Sequence, residues 1–256
     1  INANNVTSLR LSIPAGRSSF RPDQPVSIAF SSSKQTPIIA SQPETDGSWQ
    51  CDLYRESGVW RLGQPQVKGL QKVHNLQGPI DDAFMDSFIV VRPTGQARQE
   101  LVGRWTQSEL KHLVVEWRRH FRGDAVVKDD TEITQDDLKN NHLILFGDPQ
   151  SNAVMKSVIE KLPIEWTDEH VRMGDQKFSA ADHVPAMIYP NPANPSRYVV
   201  LNSGFTYREY AYLNNARQVP KLPDWAIIDL KTPADSLWPG KVVAADFFDE
   251  KWQVKH

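Results

Sequence analysis

The sequence predicts a chain in two parts: a small antiparallel β domain over residues 1–70 and, over residues 71–256, a three-layer α/β domain with a mostly parallel sheet. Two observations carry this prediction. The first ~70 residues hold short segments in which apolar and polar residues alternate, separated by Pro, Gly, Ser and Asp, the pattern of strands with one wet face. After "QPQVKGLQKVHNLQGP" the pattern changes to compact, nearly continuous apolar runs with helical periodicity between several of them, as in strands buried on both faces. The boundary is expected near residues 64–78, where Gly, Pro, Gln and Lys replace apolar periodicity.

In chain order, "VTSLRLSIP", "PVSIAF", "TPIIAS" and "WQCDLYRESGVWRLG" read as the strands of the first part, with Trp49 and Trp60 as core or interface aromatics. In the second part, "FIVVRP", "HLILFG", "VPAMIYP", "RYVVLNSG" and "WAIIDL" read as buried strands. Between the first two runs, Leu101, Val102, Trp105, Leu113, Val114, Trp117 and Phe121 recur at spacings near three and four, so residues 97–121 form a long helix with one apolar stripe. Thr134 is expected to N-cap a short helix leading to the strand at His142, although "TQDD" fits a full capping box poorly. After "LILFG", Val154, Met155, Val158, Ile159 and Leu162 line one face of a further helix, capped by Asp148-Pro149 or Ser151.

The 256 residues are 39% apolar and 23% charged, ordinary for a globular protein, and the net charge of −2 is interspersed. No basic footprint for a nucleic-acid backbone is present, so nucleic acid is not an expected partner. No run approaches the ~18 apolar residues of a membrane span. The single Cys51 forms no intramolecular disulfide and supplies no Cys-rich zinc site. The opening "INANNVTSLRL" has neither an initiator Met nor a basic region followed by an apolar one, and reads as a processed or recombinant product or a piece of something longer.

Little in the sequence spells catalysis. Gly-x-Ser-x-Gly is absent, and its nearest approach, Ser203 in "LNSGFTYRE", reads as a turn. No Gly-rich dinucleotide fingerprint, Walker loop or zincin helix occurs, and the seven histidines form no ligand pattern, so no cofactor or metal is expected. One constellation remains. Loops leaving the carboxyl ends of parallel strands share an edge, and here they bring Thr94, Asp148, Ser151, Asn152, Asn191, Asn194, Asn202, Ser203 and Thr206 toward a rim. The candidate ligand-binding residues are Asp148, Ser151, Asn152, Asn202, Ser203 and Thr206, where "FGDPQSN" and "LNSGFT" meet. Helix N-termini behind the rim favour an anion and Asp148 opposes one, which points to a neutral polar ligand such as a sugar or a peptide end. The same residue types are also the ordinary caps and turn formers.

The stretches "GLQKVHNLQGPIDDAFMDSFIVVRPTG", "NNHLILFGDPQSN", "LPIEW", "MIYPNPANPSRYVVLNSGFT", "LPDWAIIDL" and "VVAADFFDEKW" resemble the carboxyl-terminal region of large bacterial exported hydrolases of the prolyl oligopeptidase type, over about residues 66–252. In such proteins the nucleophile belongs to an upstream α/β-hydrolase domain, and no position of this chain matches its motif. The resemblance implies an exported, non-catalytic accessory module: a β domain, then a flavodoxin-like α/β domain, with a catalytic hydrolase domain as partner. It makes "GPIDDAFMD" a domain entrance, with Gly78-Pro79 as the turn, Asp81 or Asp82 capping a short helix through Met85, and Phe88–Val91 as the first strand. The alternatives are a free-standing small-molecule-binding protein or hydrolase that uses the rim, and a dimerisation module suggested by the eight tryptophans.

Overall fold

The computed structural model describes residues 1–31, 33–65 and 69–255; residues 66–68, inside the expected boundary region, lie outside them. The chain divides into two compact units, Ile1–Lys68 and Gly69–His256. In the first, strands β1 (Ser8–Ile13), β4 (Trp49–Glu56) and β5 (Val59–Leu62) form an antiparallel sheet in the order β1-β4-β5, and β2 (Ser27–Ile28) pairs with β3 (Ile38–Ile39). Period-2 alternation turns Trp49, Cys51 and Leu53 of β4 inward, where they meet Val26, Ile28, Phe30 and Trp60. Phe30 stacks on Trp60 at a centroid distance of 4.3 Å, and the Gln35 amide pairs with both backbone groups of Trp60. Burial pushes the Cys51 thiol above its ordinary range.

The second unit is built on one seven-stranded sheet. Its members are β6 (Phe88–Arg92), β7 (Val127–Asp129), β8 (His142–Leu145), β12 (His183–Asn191), β13 (Asn194–Leu201), β14 (Trp225–Asp229) and β15 (Lys241–Asp246). They lie in the order β15-β14-β12-β13-β8-β6-β7. Helix α1 (Glu100–Phe121) connects β6 to β7, α2 (Gln135–Asn140) leads from β7 to β8, and α3 (Ala153–Val158) follows β8. A separate meander of β9 (Glu165–Trp166), β10 (His170–Met173) and β11 (Gln176–Ser179) precedes β12. Helix α1 packs through Val102, Trp105 and Leu113, each buried side chain contributing on the order of 2 kcal/mol. Thr134 caps α2 in a full capping box: its hydroxyl accepts the Asp137 N–H, and the Asp137 carboxylate accepts the Thr134 N–H at 2.9 Å. Aspartate therefore serves here where glutamate is the usual partner.

The sheet corrects the three-layer, flavodoxin-like expectation. Parallel pairing is confined to β7-β6-β8-β13; β12 pairs antiparallel with β13 and β14, and β14 pairs antiparallel with β15, so the unit is a mixed sheet in a mainly β structure. Among the described residues there are three α-helices, two of them six residues long. The misreading has a physical cause. Strands β12 and β14 are central and covered on both faces, so Val184–Ile188 and Ala226–Ile228 are buried without alternation although their neighbours are antiparallel. No helix lies between β12 and β13, which a tight turn after Asn191 joins directly. At the entrance, a single 3-10 turn spans Ile80–Phe84 with no side-chain cap. Asp81 and Asp82 serve elsewhere: Asp81 accepts the Thr206 N–H at 2.9 Å, and Asp82 accepts the Tyr198 hydroxyl at 2.6 Å.

Candidate functional site

Strand order singles out one edge. From β6 the chain passes through α1 to β7 on one side, then returns through α2 to β8 on the other side of β6. The carboxyl ends of β6 and β8 therefore flank a topological switch point, where loops diverge and leave a crevice. A groove of about 780 Å³ lies there. One wall is the loop after β6 (Pro93, Gly95, Gln96, Ala97 and Arg98), a second is α1 (Glu100, Gly103, Arg104, Thr106, Gln107 and Leu110), and Gly147 and Ser151 come from the loop after β8.

Close approach of these walls depends on small residues. A Cβ at Gly95 would stand 3.0 Å from the backbone of Ser151, and one at Gly147, whose φ is +112°, would stand 2.6 Å from Ser151 Oγ. The Gly95 N–H donates to Ser151 O at 2.9 Å, joining the β6 loop to the β8 loop.

The six residues that the sequence marks as ligand-binding are all buried. Most of them bind the protein's own backbone. The Asp148 carboxylate accepts the N–H groups of Gln150 at 3.0 Å, Ser151 at 2.8 Å and Arg98 at 2.8 Å, so it locks its own turn and holds the entrance to α1. Asn152, rather than Asp148 or Ser151, caps α3 by accepting the Met155 N–H at 3.0 Å, and its amide donates to Phe146 O at 2.9 Å. Asn202, in the left-handed region at φ 48°, turns its amide against the backbone of one residue: Oδ1 accepts the Gly147 N–H and Nδ2 donates to Gly147 O, both at 2.9 Å. "FGDPQSN" and "LNSGFT" thus meet through a side chain that imitates a strand partner.

Of the six, only Ser151 lines the large groove. Asn202, Ser203 and Thr206 line a different cavity of about 20 Å³, with Glu109, His112 and Arg208. That volume is near one water molecule. Ser203 Oγ donates to Gly204 O at 2.9 Å, and His112 Nε2 lies 3.0 Å from Glu209 Oε1. Arg208 forms a buried two-pronged ion pair with Glu109, at 2.7 and 3.3 Å. The Thr206 hydroxyl donates to Asp81 and accepts the Lys221 N–H at 2.7 Å. Burial raises the Asp81 carboxyl above the usual range, against the lowering effect of Thr206. No α-helix follows "LNSGFT"; a 3-10 turn at Glu209–Leu213 stands where helix N–H donors were expected.

Sequence reasoning missed the residues that do face the groove: Arg92, Arg98, Arg104, Thr106 and Gln107. One signal was present. Gly103 stands in the first turns of an unbroken helix, and a Cβ there would lie 3.1 Å from Ala97 Cβ, so the glycine lets the β6 loop seat on α1. Arg92 pairs with Asp129, Arg104 with Glu100 and Arg98 with Asp168, and each partner retains considerable exposure except Asp129. Among the described residues no group of His, Cys, Asp and Glu is placed to hold a metal ion, and no helix is long and apolar enough to cross a membrane.

Compared with known proteins, the chain matches no family model, no curated protein and no solved structure.

Proposed function

We propose that this chain is a non-catalytic recognition region of an exported peptidase- or esterase-like hydrolase, and that the groove between α1 and the β6 and β8 loops is its recognition surface. One observation carries the proposal: the groove occupies the switch point of the parallel half-sheet and is lined by cations and amides, with no histidine among its lining residues. Its one serine, Ser151, accepts the Asp148 N–H at 2.9 Å and donates to Asp148 O, so its hydroxyl serves the turn. Association with a hydrolase domain and export rest on the sequence resemblance. Reading the coding sequence upstream of Ile1 tests them: an in-frame hydrolase domain is the expected result, and a start codon with a signal peptide immediately before Ile1 overturns the accessory reading.

A second reading, a hydrolase acting at the rim, draws on Ser203 and His112 lining one cavity while His112 pairs with Glu209. Against it, the Ser203 hydroxyl is committed to Gly204 O and the cavity, of about 20 Å³, has room for about one water. The purified chain is expected not to hydrolyse short peptide or acyl-ester substrates. Turnover that vanishes in Ser203→Ala establishes the second reading instead.

A further inference from the structure

We infer that the groove takes an oxyanion, a carboxylate or phosphate group, at the N-terminal end of α1; this rests on the groove being a recognition surface and names what it recognises. The 22-residue α1 begins after Gln99, which makes no side-chain cap bond, so the first-turn N–H groups of Glu100, Leu101 and Val102 have no capping acceptor. An uncapped start of a long helix presents partial positive charge to whatever lies before it. That alone makes no site.

Two further groups point the same way. Thr106 is 2% exposed and lines the groove, yet its Oγ1 has no hydrogen-bond partner among the described residues. Arg98 also lines the groove, and its buried Nε–H likewise has no acceptor, while its terminal nitrogen is occupied by Asp168. A buried polar group without a partner is costly; the Arg98 Nε–H can only donate and the Thr106 hydroxyl can donate, so an acceptor is the one kind of partner that satisfies both. Arg92, Arg98 and Arg104 each already have a carboxylate partner, in Asp129, Asp168 and Glu100, so the donors left without an acceptor, and not a surplus of charge, define the site. Asp148, which from the sequence opposed an anion, has its carboxylate saturated by three backbone N–H groups of the surrounding loops. The neutral ligand expected from the sequence offers acceptors too, but without the negative charge that strengthens bonds to the uncapped first-turn N–H groups and to the Arg98 Nε–H.

The test follows the Arg98 Nε–H and the Glu100–Val102 amide signals by NMR during titration with citrate, with inorganic phosphate and with neutral sucrose. The expected result is a saturable shift at millimolar concentration with citrate or phosphate and none with sucrose; which anion binds more tightly separates the carboxylate from the phosphate source. Thr106→Val and Arg98→Gln are expected to weaken that binding about tenfold each, the loss of one hydrogen bond to a charged acceptor. If sucrose shifts these signals as strongly, the groove still recognises ligands and the oxyanion assignment is wrong. If neither anion gives a saturable shift, or if Thr106→Val binds as tightly as the parent chain, the assignment is overturned.

Discussion

His142, at the start of β8, makes the second unit sensitive to acid. Its ring is buried, its Nδ1 accepts the Tyr198 N–H at 2.8 Å, and burial, aided by Arg197, holds its pKa down from 6.5 to about 4, against the opposite pull of Asp86 and Asp82. The imidazole is therefore neutral in the fold at pH 7 and stays neutral well below the pH at which the unfolded chain takes up the proton. With the folded value depressed, stability is full above pH 6.5 and is lost as pH falls toward 4, because the unfolded state binds the extra proton. At about 1.36 kcal/mol per pKa unit, this single group accounts for roughly 3 kcal/mol between pH 7 and pH 4. Other carboxyls also titrate in acid. Asp81 and Asp224, raised by burial, gain in relative stability as they protonate, whereas Asp86, lowered by the Ser87 N–H and Arg197, loses it. Comparing the parent chain with His142→Asn removes most of these shared contributions. In urea titrations followed by circular dichroism at several pH values, the parent's stability advantage over His142→Asn should shrink by about 3 kcal/mol from pH 7 to pH 4. A gap that stays constant across that range would refute the assignment of a buried, neutral imidazole.

Three more perturbations probe the frame of the site by thermal or urea denaturation. Asn202→Ala strands the buried N–H and C=O of Gly147 and should cost about 2–4 kcal/mol; an unchanged midpoint would show that the pairing carries no weight. Glu109→Gln leaves the Arg208 charge buried and is expected to cost about 3–5 kcal/mol, most of it recovered in Glu109→Leu combined with Arg208→Met; a double variant as unstable as the single one would contradict this. Gly147→Ala sets a Cβ 2.6 Å from Ser151 Oγ at a φ of +112°, with an expected loss of about 1–3 kcal/mol and a weakened groove; parental stability would show that the turn adapts freely.

The strands and the long helix were legible because their signals are local. The run "FIVVRP" becomes β6, the stripe through Leu101 and Trp105 becomes α1, and Thr134 caps α2. What failed was pairing direction. Ile227 and Ile228 on β14 are buried like residues of a parallel strand, and nothing in a run of apolar residues states which way its neighbour points. The meander at Glu165–Ser179 escaped because its strands are two to four residues long. The site was half visible for a related reason. Asp, Asn and Ser at loop positions marked the sheet edge where the groove lies, but those side chains satisfy the loops' own backbone, and the groove is faced by Arg98, Arg104 and Thr106, beside the close fit of Gly103 on Ala97.

The amide of Asn202 against the Gly147 backbone separates two tasks that binding sites often place on the same residues. The loops after β8 and β13 are fixed by a side chain acting as an extra length of main chain, and Asp148 fixes the β6 loop to its neighbour in the same manner. None of these contacts uses the side chain of Arg98, Arg104 or Gln107. Under the proposed function, the side chains facing the groove can therefore be exchanged one at a time while the crevice keeps its dimensions, so related chains that share Asn202, Asp148 and Gly147 are expected to retain the groove while differing in what they accept. A selection for new ligands confined to positions 98, 104 and 107 would draw on that separation.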